Sequence, residues 1–210
     1  MIDEEANEYS AILEARHTFY CGLPTVDVTE KALKSLDEDS ALGPDKLPTR
    51  ILKRCAHVLA PVLHMLILAI LTCGEWPALW MEHWIVPLYK RKSVYQAGNY
   101  RGIHLTSQIS KVAERVLASI FVPQLIWSEA YGRNQFAYMP ERGARDALAH
   151  LVITWLLQFG QQLKIAVYCS DVSGTFDKVN SSRLLRKLQA KGVPDEILAV
   201  LKHWLAAPKA

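Results

Sequence analysis

Apolar positions recur along this chain with a helical period over most of its length and with a strand period over little of it. Residues 3–18 read as an acidic helix. Asp27, with Glu30 three positions on, has the spacing of a capping box and predicts a helix starting near Val28. That helix ends before Ala41-Leu42-Gly43-Pro44-Asp45, a turn by its Gly-Pro-Asp chemistry. Pro48 and Thr49 open the next helix. Pro61 breaks it or starts another, and Gly74 stops the apolar run as a C′ glycine. Val58–Cys73 is the most apolar stretch, but Pro61 and His64 interrupt it and a membrane span takes ~20 residues. It is expected to be a buried core helix.

Trp76, Trp80 and Trp84 recur at i, i+4, i+8, a stripe that points to core, with Pro77 at its start. Trp84-Ile85-Val86-Pro87-Leu88-Tyr89 reads as a strand, and Pro87 favours a sheet edge. After Lys90-Arg91-Lys92 and a polar loop, Arg101–Leu105 reads as the returning strand of a hairpin. Ser107 to about Trp127 is helical, with Pro123 as a kink or break. Gly143–Phe159 is a second long helix that Gly160 ends. Ile165-Ala166-Val167-Tyr168-Cys169 predicts a short buried strand. Ser181–Ala190 is a helix capped by Asn180 and stopped by Gly192. Pro194 opens a last helix to about Ala206. The fold class is therefore α+β and helix-rich.

Composition narrows the partners. Half of the 210 residues are apolar and 21% are charged, which excludes a disordered chain. The net charge of +3 conceals an asymmetry. Residues 1–39 carry ten acids and three bases, and residues 40–210 carry eleven acids and twenty-one bases. A basic body of this kind fits either a polyanion partner or a solvated surface of mixed charge. The four cysteines, Cys21, Cys55, Cys73 and Cys169, are far apart and form no zinc-ligand spacing. With no secretory signal at the start, they predict a reduced intracellular protein, cytoplasmic or nuclear and not secreted.

The chemistry concentrates in Ala166–Val179. An apolar strand would deliver Asp171 at its C-terminal end, where an open sheet presents ligands and a carboxylate can hold a divalent cation. The bland alternative is that Asp171 caps the next helix. Asp171-Val172-Ser173-Gly174-Thr175 also resembles the D-x-D-G-T signature of haloacid-dehalogenase-like phosphatases. It departs at Ser173, where the second aspartate of that family supplies acid–base catalysis.

A second resemblance covers far more of the chain. Asp171-Val172-Ser173-Gly174-Thr175-Phe176-Asp177-Lys178-Val179 resembles the D-x-x-x-A-F-D-x-V motif of reverse transcriptases, in particular those of non-LTR retrotransposons. Upstream, Gly43-Pro44-Asp45-Lys46-Leu47-Pro48 resembles their G-P-D-G-I-P, and Trp80–Lys90 resembles their W-K-x-A-x-I-x-P-I-x-K. Asn99–Leu105 resembles N-Y-R-P-I-S-L with Lys111 following, and Gln135–Asp146 resembles Q-x-G-F-R-x-x-x-S-T-x-D. Gly192 and Trp204 fit the G…W pattern after the catalytic strand. The pieces fall in the family's order over about residues 30–206.

Residues 1–27 are an acidic extension outside the resemblance, which implies a fingers-like region with preceding helices over 28–160 and the start of the palm of a right-hand polymerase over 161–210. It implies Asp171 as the catalytic metal ligand, with the Val172 carbonyl as a second ligand. Phe176 would select deoxynucleotides. Lys90 and Arg101 would grip the triphosphate, a task suited to guanidinium geometry. Gln135, Arg142 and Arg145 fall in the template-binding motif. The implied partners are an RNA template, a DNA primer and a deoxynucleoside triphosphate, with no membrane, and the implied cofactor is Mg²⁺, two ions in the full-length parent. Gly102 replaces the family's proline after Arg101, and Ala137, Tyr138 and Met139 replace its G-F-R. The chain holds no Asp-Asp dipeptide, the family's second acidic motif. The expectation is a fingers and partial-palm fragment that does not polymerise alone. A non-catalytic nucleic-acid-binding remnant is the other reading.

Overall fold

A computed structural model describes residues 22–91, 93–172, 174 and 178–206. The helix expected at residues 3–18 lies outside them. The elements in order are α1 (Val26–Lys34), α2 (Thr49–Arg54), α3 (Ala56–Cys73), β1 (His83–Tyr89), β2 (Tyr100–Thr106), α4 (Gln108–Trp127), α5 (Ala144–Gly160), α6 (Ser181–Ala190) and α7 (Asp195–Ala206). Two short 3₁₀ turns, Ala78–Trp80 and Ala97–Asn99, precede the strands. The fold is mixed helix and sheet, consistent with α+β, and the sheet is the antiparallel pair β1–β2.

The chain divides into two compact units. One comprises the described residues of 22–122 and 181–206, and the other the described residues of 123–180. The division falls at Pro123, where α4 continues through the proline.

In the first unit, α1 packs on α3, α3 on α7, and α6 on α7. The core is Leu33 and Leu36 at the end of α1, Leu52 of α2, Ala60, Leu63, Ile67 and Ile70 of α3, Val112 and Val116 of α4, and Ile197 and Val200 of α7. Two of the buried polar side chains bond to main-chain carbonyls. Thr49 Oγ1 donates to the Glu38 carbonyl at 3.0 Å, and Gln108 Nε2 donates to the Ala41 carbonyl at 2.7 Å. A buried amide or hydroxyl left without a bond would cost about 1–3 kcal/mol, so the Gln108 bond fixes how the 41–45 turn meets α4, and the Thr49 bond ties the start of α2 to Glu38.

Four local readings are corrected. The N-cap of α1 is Thr25, whose Oγ1 accepts from the Val28 N–H at 3.4 Å, and Asp27 stands in the first turn, where a carboxylate favours the helix dipole. The helix break falls at Cys55, and Pro61 lies inside α3. Proline there removes the N–H that would reach the His57 carbonyl, and α3 continues through it for twelve more residues. Of the tryptophan stripe only Trp76 is buried. Trp80 sits edge-on against it with ring centroids 5.3 Å apart, and Trp84 is 46% exposed on β1. The period of four fails there because a 3₁₀ turn and a strand replace one continuous helix. Finally, residues 165–169 form no strand, and Val167 and Tyr168 are exposed. An extended segment is held by a neighbouring ladder, and the one sheet among the described residues is the β1–β2 pair.

Other expectations match. Gly74 ends α3 at φ 70° with its N–H on the Ile70 carbonyl, Ser181–Ala190 is helical, and Gly192 follows with positive φ. By length and composition α3 is long and apolar enough to cross a membrane, and it is one such helix among the described residues. One of its faces is core and the other exposes Val58, Val62 and Met65, so the expectation of a buried helix holds for one face.

In the second unit, α5 follows its N-cap Gly143, whose N–H donates to Asp146 Oδ2 at 2.8 Å. Its apolar side chains, including Leu148, Ile153, Leu156 and Leu157, are exposed.

Candidate functional site

The hairpin carries the best-formed constellation. Its register pairs Leu88 with Arg101 and Tyr89 with Tyr100. The ladder continues one step, since the Lys90 N–H donates to the Asn99 carbonyl at 2.8 Å. Side chains alternate across a strand, so Leu88, Lys90 and Arg101 share one face of the ribbon. Lys90 and Arg101 are diagonal neighbours there, a relationship that spans about 7–8 Å. Both are exposed, and neither makes an ion pair with a described residue. Trp84, Val86 and Ile103 continue the same face, and all three are partly exposed. The opposite face holds the Tyr89–Tyr100 ring pair at 5.4 Å and the His83–His104 pair at 4.6 Å.

The residues before Arg101 shape the loop. Asn99 Nδ2 donates to the Ser93 carbonyl at 2.7 Å, and the Tyr100 hydroxyl donates to the Val94 carbonyl at 3.0 Å. Asn99 and Tyr100 thus fold residues 93–96 back onto the strand end. A cation pair held on a braced ribbon loses less side-chain freedom on meeting an anion than one on an open loop.

The ribbon itself is positioned from below. A Cβ on Gly43 would stand 2.4 Å from the Thr106 carbonyl oxygen and 2.8 Å from the Ser107 nitrogen. The 43–46 turn, closed by the Lys46 N–H on the Gly43 carbonyl, therefore packs backbone to backbone against the β2–α4 junction. Ser107 Oγ accepts from the Ser110 N–H at 3.3 Å and caps α4. Gln108, the buried bond to this turn, was not legible as a functional position. Its signal was faint, a polar residue inside an apolar helical period.

Asp171 and Val172 are both exposed on irregular backbone. The expected strand end beneath Asp171 is absent, as described above. Phe176 lies outside the described residues. Among those that are described, no three His, Cys, Asp or Glu side chains come together in a metal-holding group. One carboxylate does not fit a two-ion Mg²⁺ centre, which shares oxygen ligands between ions about 3.5–4 Å apart.

In the second unit, Gln135 and Arg142 serve the loop that precedes α5. Gln135 Nε2 donates to the Ala137 carbonyl at 2.9 Å. Arg142 Nη1 donates to the Arg133 carbonyl at 2.9 Å, with its guanidinium 6.0 Å from the Phe136 ring centroid. Arg145 is exposed in the first turn of α5. The structure thus brings Lys90 together with Arg101, ties Gln135 and Arg142 into one loop, and leaves Asp171 without an acidic companion among the described residues.

No protein-family profile matches the chain, and no curated protein matches it.

Proposed function

We propose that this chain is the fingers and first palm motif of a retroelement reverse transcriptase, and that these residues bind nucleic-acid and nucleotide phosphates without polymerising by themselves. The observation that carries this reading is the shared face of Lys90 and Arg101. The two cations come from separate sequence motifs, each assigned to triphosphate contact by resemblance alone. Strand register makes them neighbours, on a face that also offers Trp84 for base stacking. Trp84 lies further along the same face, opposite Leu105, and an aromatic on a face that also carries cations suits a single strand, where stacking contributes about 1–3 kcal/mol per base. The collinear order of the other motifs supports the same assignment. RNA-directed DNA synthesis belongs to the parent enzyme, with an RNA template, a DNA primer and Mg²⁺. The 210 residues hold no Asp-Asp pair to complete its metal centre.

The test is binding of a fluorescent RNA–DNA hybrid with a single-stranded overhang across a salt series. The logarithm of affinity is expected to fall linearly with that of salt. Lys90→Ala and Arg101→Ala should each flatten the slope by about 0.7–0.9. Asp171→Asn should bind like the parent chain, and primer extension with Mg²⁺ should be absent. Salt-independent binding, or extension that Asp171→Asn abolishes, would overturn the reading.

A further inference from the structure

A slot of about 170 Å³ lies between α4 and α7 in the first unit. Three aromatic residues wall it, Trp76, Phe121 and Trp204, with Leu117 and Val200 beside them. Glu114 is the one charged residue among the described residues that line it. A dry cavity of about 150 Å³ takes up benzene, and sites for drug-sized ligands start at about 300 Å³. The slot therefore fits a compact group.

Its chemistry is not that of a plain apolar hole. Glu114 Oε1 accepts from the Ser110 hydroxyl at 3.0 Å, and no base among the described residues lies within ion-pair distance of it. A carboxylate held against apolar neighbours is costly unless an opposite charge meets it. The faces of indole and phenyl rings carry negative potential and attract cations, most strongly when water is excluded. Trp76 is 3% exposed, and its indole N–H has no hydrogen-bond partner among the described residues. The same residue is fixed from two sides, by the Trp80 ring and by the bond from its main-chain N–H to His203 Nδ1. Three rings and one acid around a space of this size are complementary to a monovalent organic cation.

We propose that this slot binds a small alkylated ammonium ion of choline size, with Trp76, Phe121 and Trp204 around the cation and the Glu114 carboxylate opposing its charge. The site is independent of the nucleic-acid reading. The test titrates the full chain with choline, and in parallel with 3,3-dimethylbutanol, its neutral isostere, following tryptophan fluorescence and ligand-observed NMR. Choline is expected to saturate, and the isostere to bind at least about fivefold more weakly. Glu114→Gln should weaken choline by a similar factor. Trp204→Leu, at a position 41% exposed, should do the same and does not depend on Glu114→Gln folding. Phosphatidylcholine vesicles separate the two sources of the group. Capture of vesicles assigns the lipid head group, and binding of choline without vesicles assigns a soluble ligand. Equal affinity for the isostere, or no saturation by choline at tens of millimolar in folded protein, would overturn the proposal.

Discussion

The main-chain N–H of Trp76 donates to Nδ1 of His203 at 3.2 Å, joining the loop after α3 to the last turn of α7 across 127 residues of sequence. An accepting Nδ1 carries no proton, so the bond selects the tautomer with hydrogen on Nε2. The pair closes the first unit, because α7 returns there after the chain has passed through residues 123–180. Replacing His203 with alanine leaves the Trp76 N–H unpaired at a residue 3% exposed. The expected loss is about 1–3 kcal/mol, read as a lower urea midpoint with unchanged slope. An unchanged midpoint would mean that water replaces the imidazole.

Gly43 and Gly98 give a matched contrast. Alanine at Gly43 drives a methyl group into the Thr106 carbonyl, which is backbone and cannot step aside. Alanine at Gly98 meets nothing within 4 Å. Gly43→Ala should therefore destabilise by about 1–3 kcal/mol or more, the range for overpacking, and Gly98→Ala should stay within about 0.5 kcal/mol, as surface changes do. Similar thermal midpoints for the two variants would show that the turn does not seat against the β2–α4 junction.

What the sequence revealed follows from the range of the forces involved. The α6 helix, the β1–β2 hairpin and the Gly74 stop rest on local periodicity and turn chemistry, and they were legible. Gly43 was legible as a turn residue, but its contact with Thr106 comes from 63 residues away and leaves no local trace. The Thr25 cap was overlooked because Asp27 offered the same chemistry two residues on. Residues 165–169 misled for the opposite reason. Their β-branched and aromatic composition fits a pleated surface, yet a strand exists only when another lies beside it. At the candidate site, the charges of Lys90 and Arg101 were readable, while their common face depends on register. Glu114 left one usable sign, since Ser110, Glu114, Leu117 and Phe121 fall on a single helical stripe that is otherwise small or apolar.

Amide hydrogen exchange separates composition from pairing. The amides of Ile103 and Leu105 lie within the β1–β2 ladder, whereas those of Val167 and Tyr168 lie in no ladder. Exchange is expected to be slowed in the hairpin and close to the unprotected rate at 165–169. Slow exchange at Val167 would restore the strand inferred from sequence and give Asp171 the sheet end that the metal chemistry asks for.

Glu114 makes the stability of the first unit depend on pH in a direction opposite to that of a paired carboxylate. Burial raises its pKa above the ordinary glutamate value, and this outweighs the Ser110 hydrogen bond and the charge of Lys111, which act the other way. A carboxyl whose folded pKa is raised favours the folded state while it is protonated. That contribution is complete below the unfolded pKa near 4.5 and is lost as pH rises through the folded value. Glutamine in its place keeps an acceptor for the Ser110 hydroxyl and never ionises. Glu114→Gln should therefore melt at a higher temperature than the parent chain at neutral pH, and the gap should close as pH is lowered through the carboxylate range. The comparison cancels every other acid, because both proteins share them. Choline narrows the neutral-pH gap if the ammonium slot is filled, since an opposing cation favours the ionised carboxylate in the parent chain alone. A gap that persists in acid would instead trace to packing of the amide and not to charge.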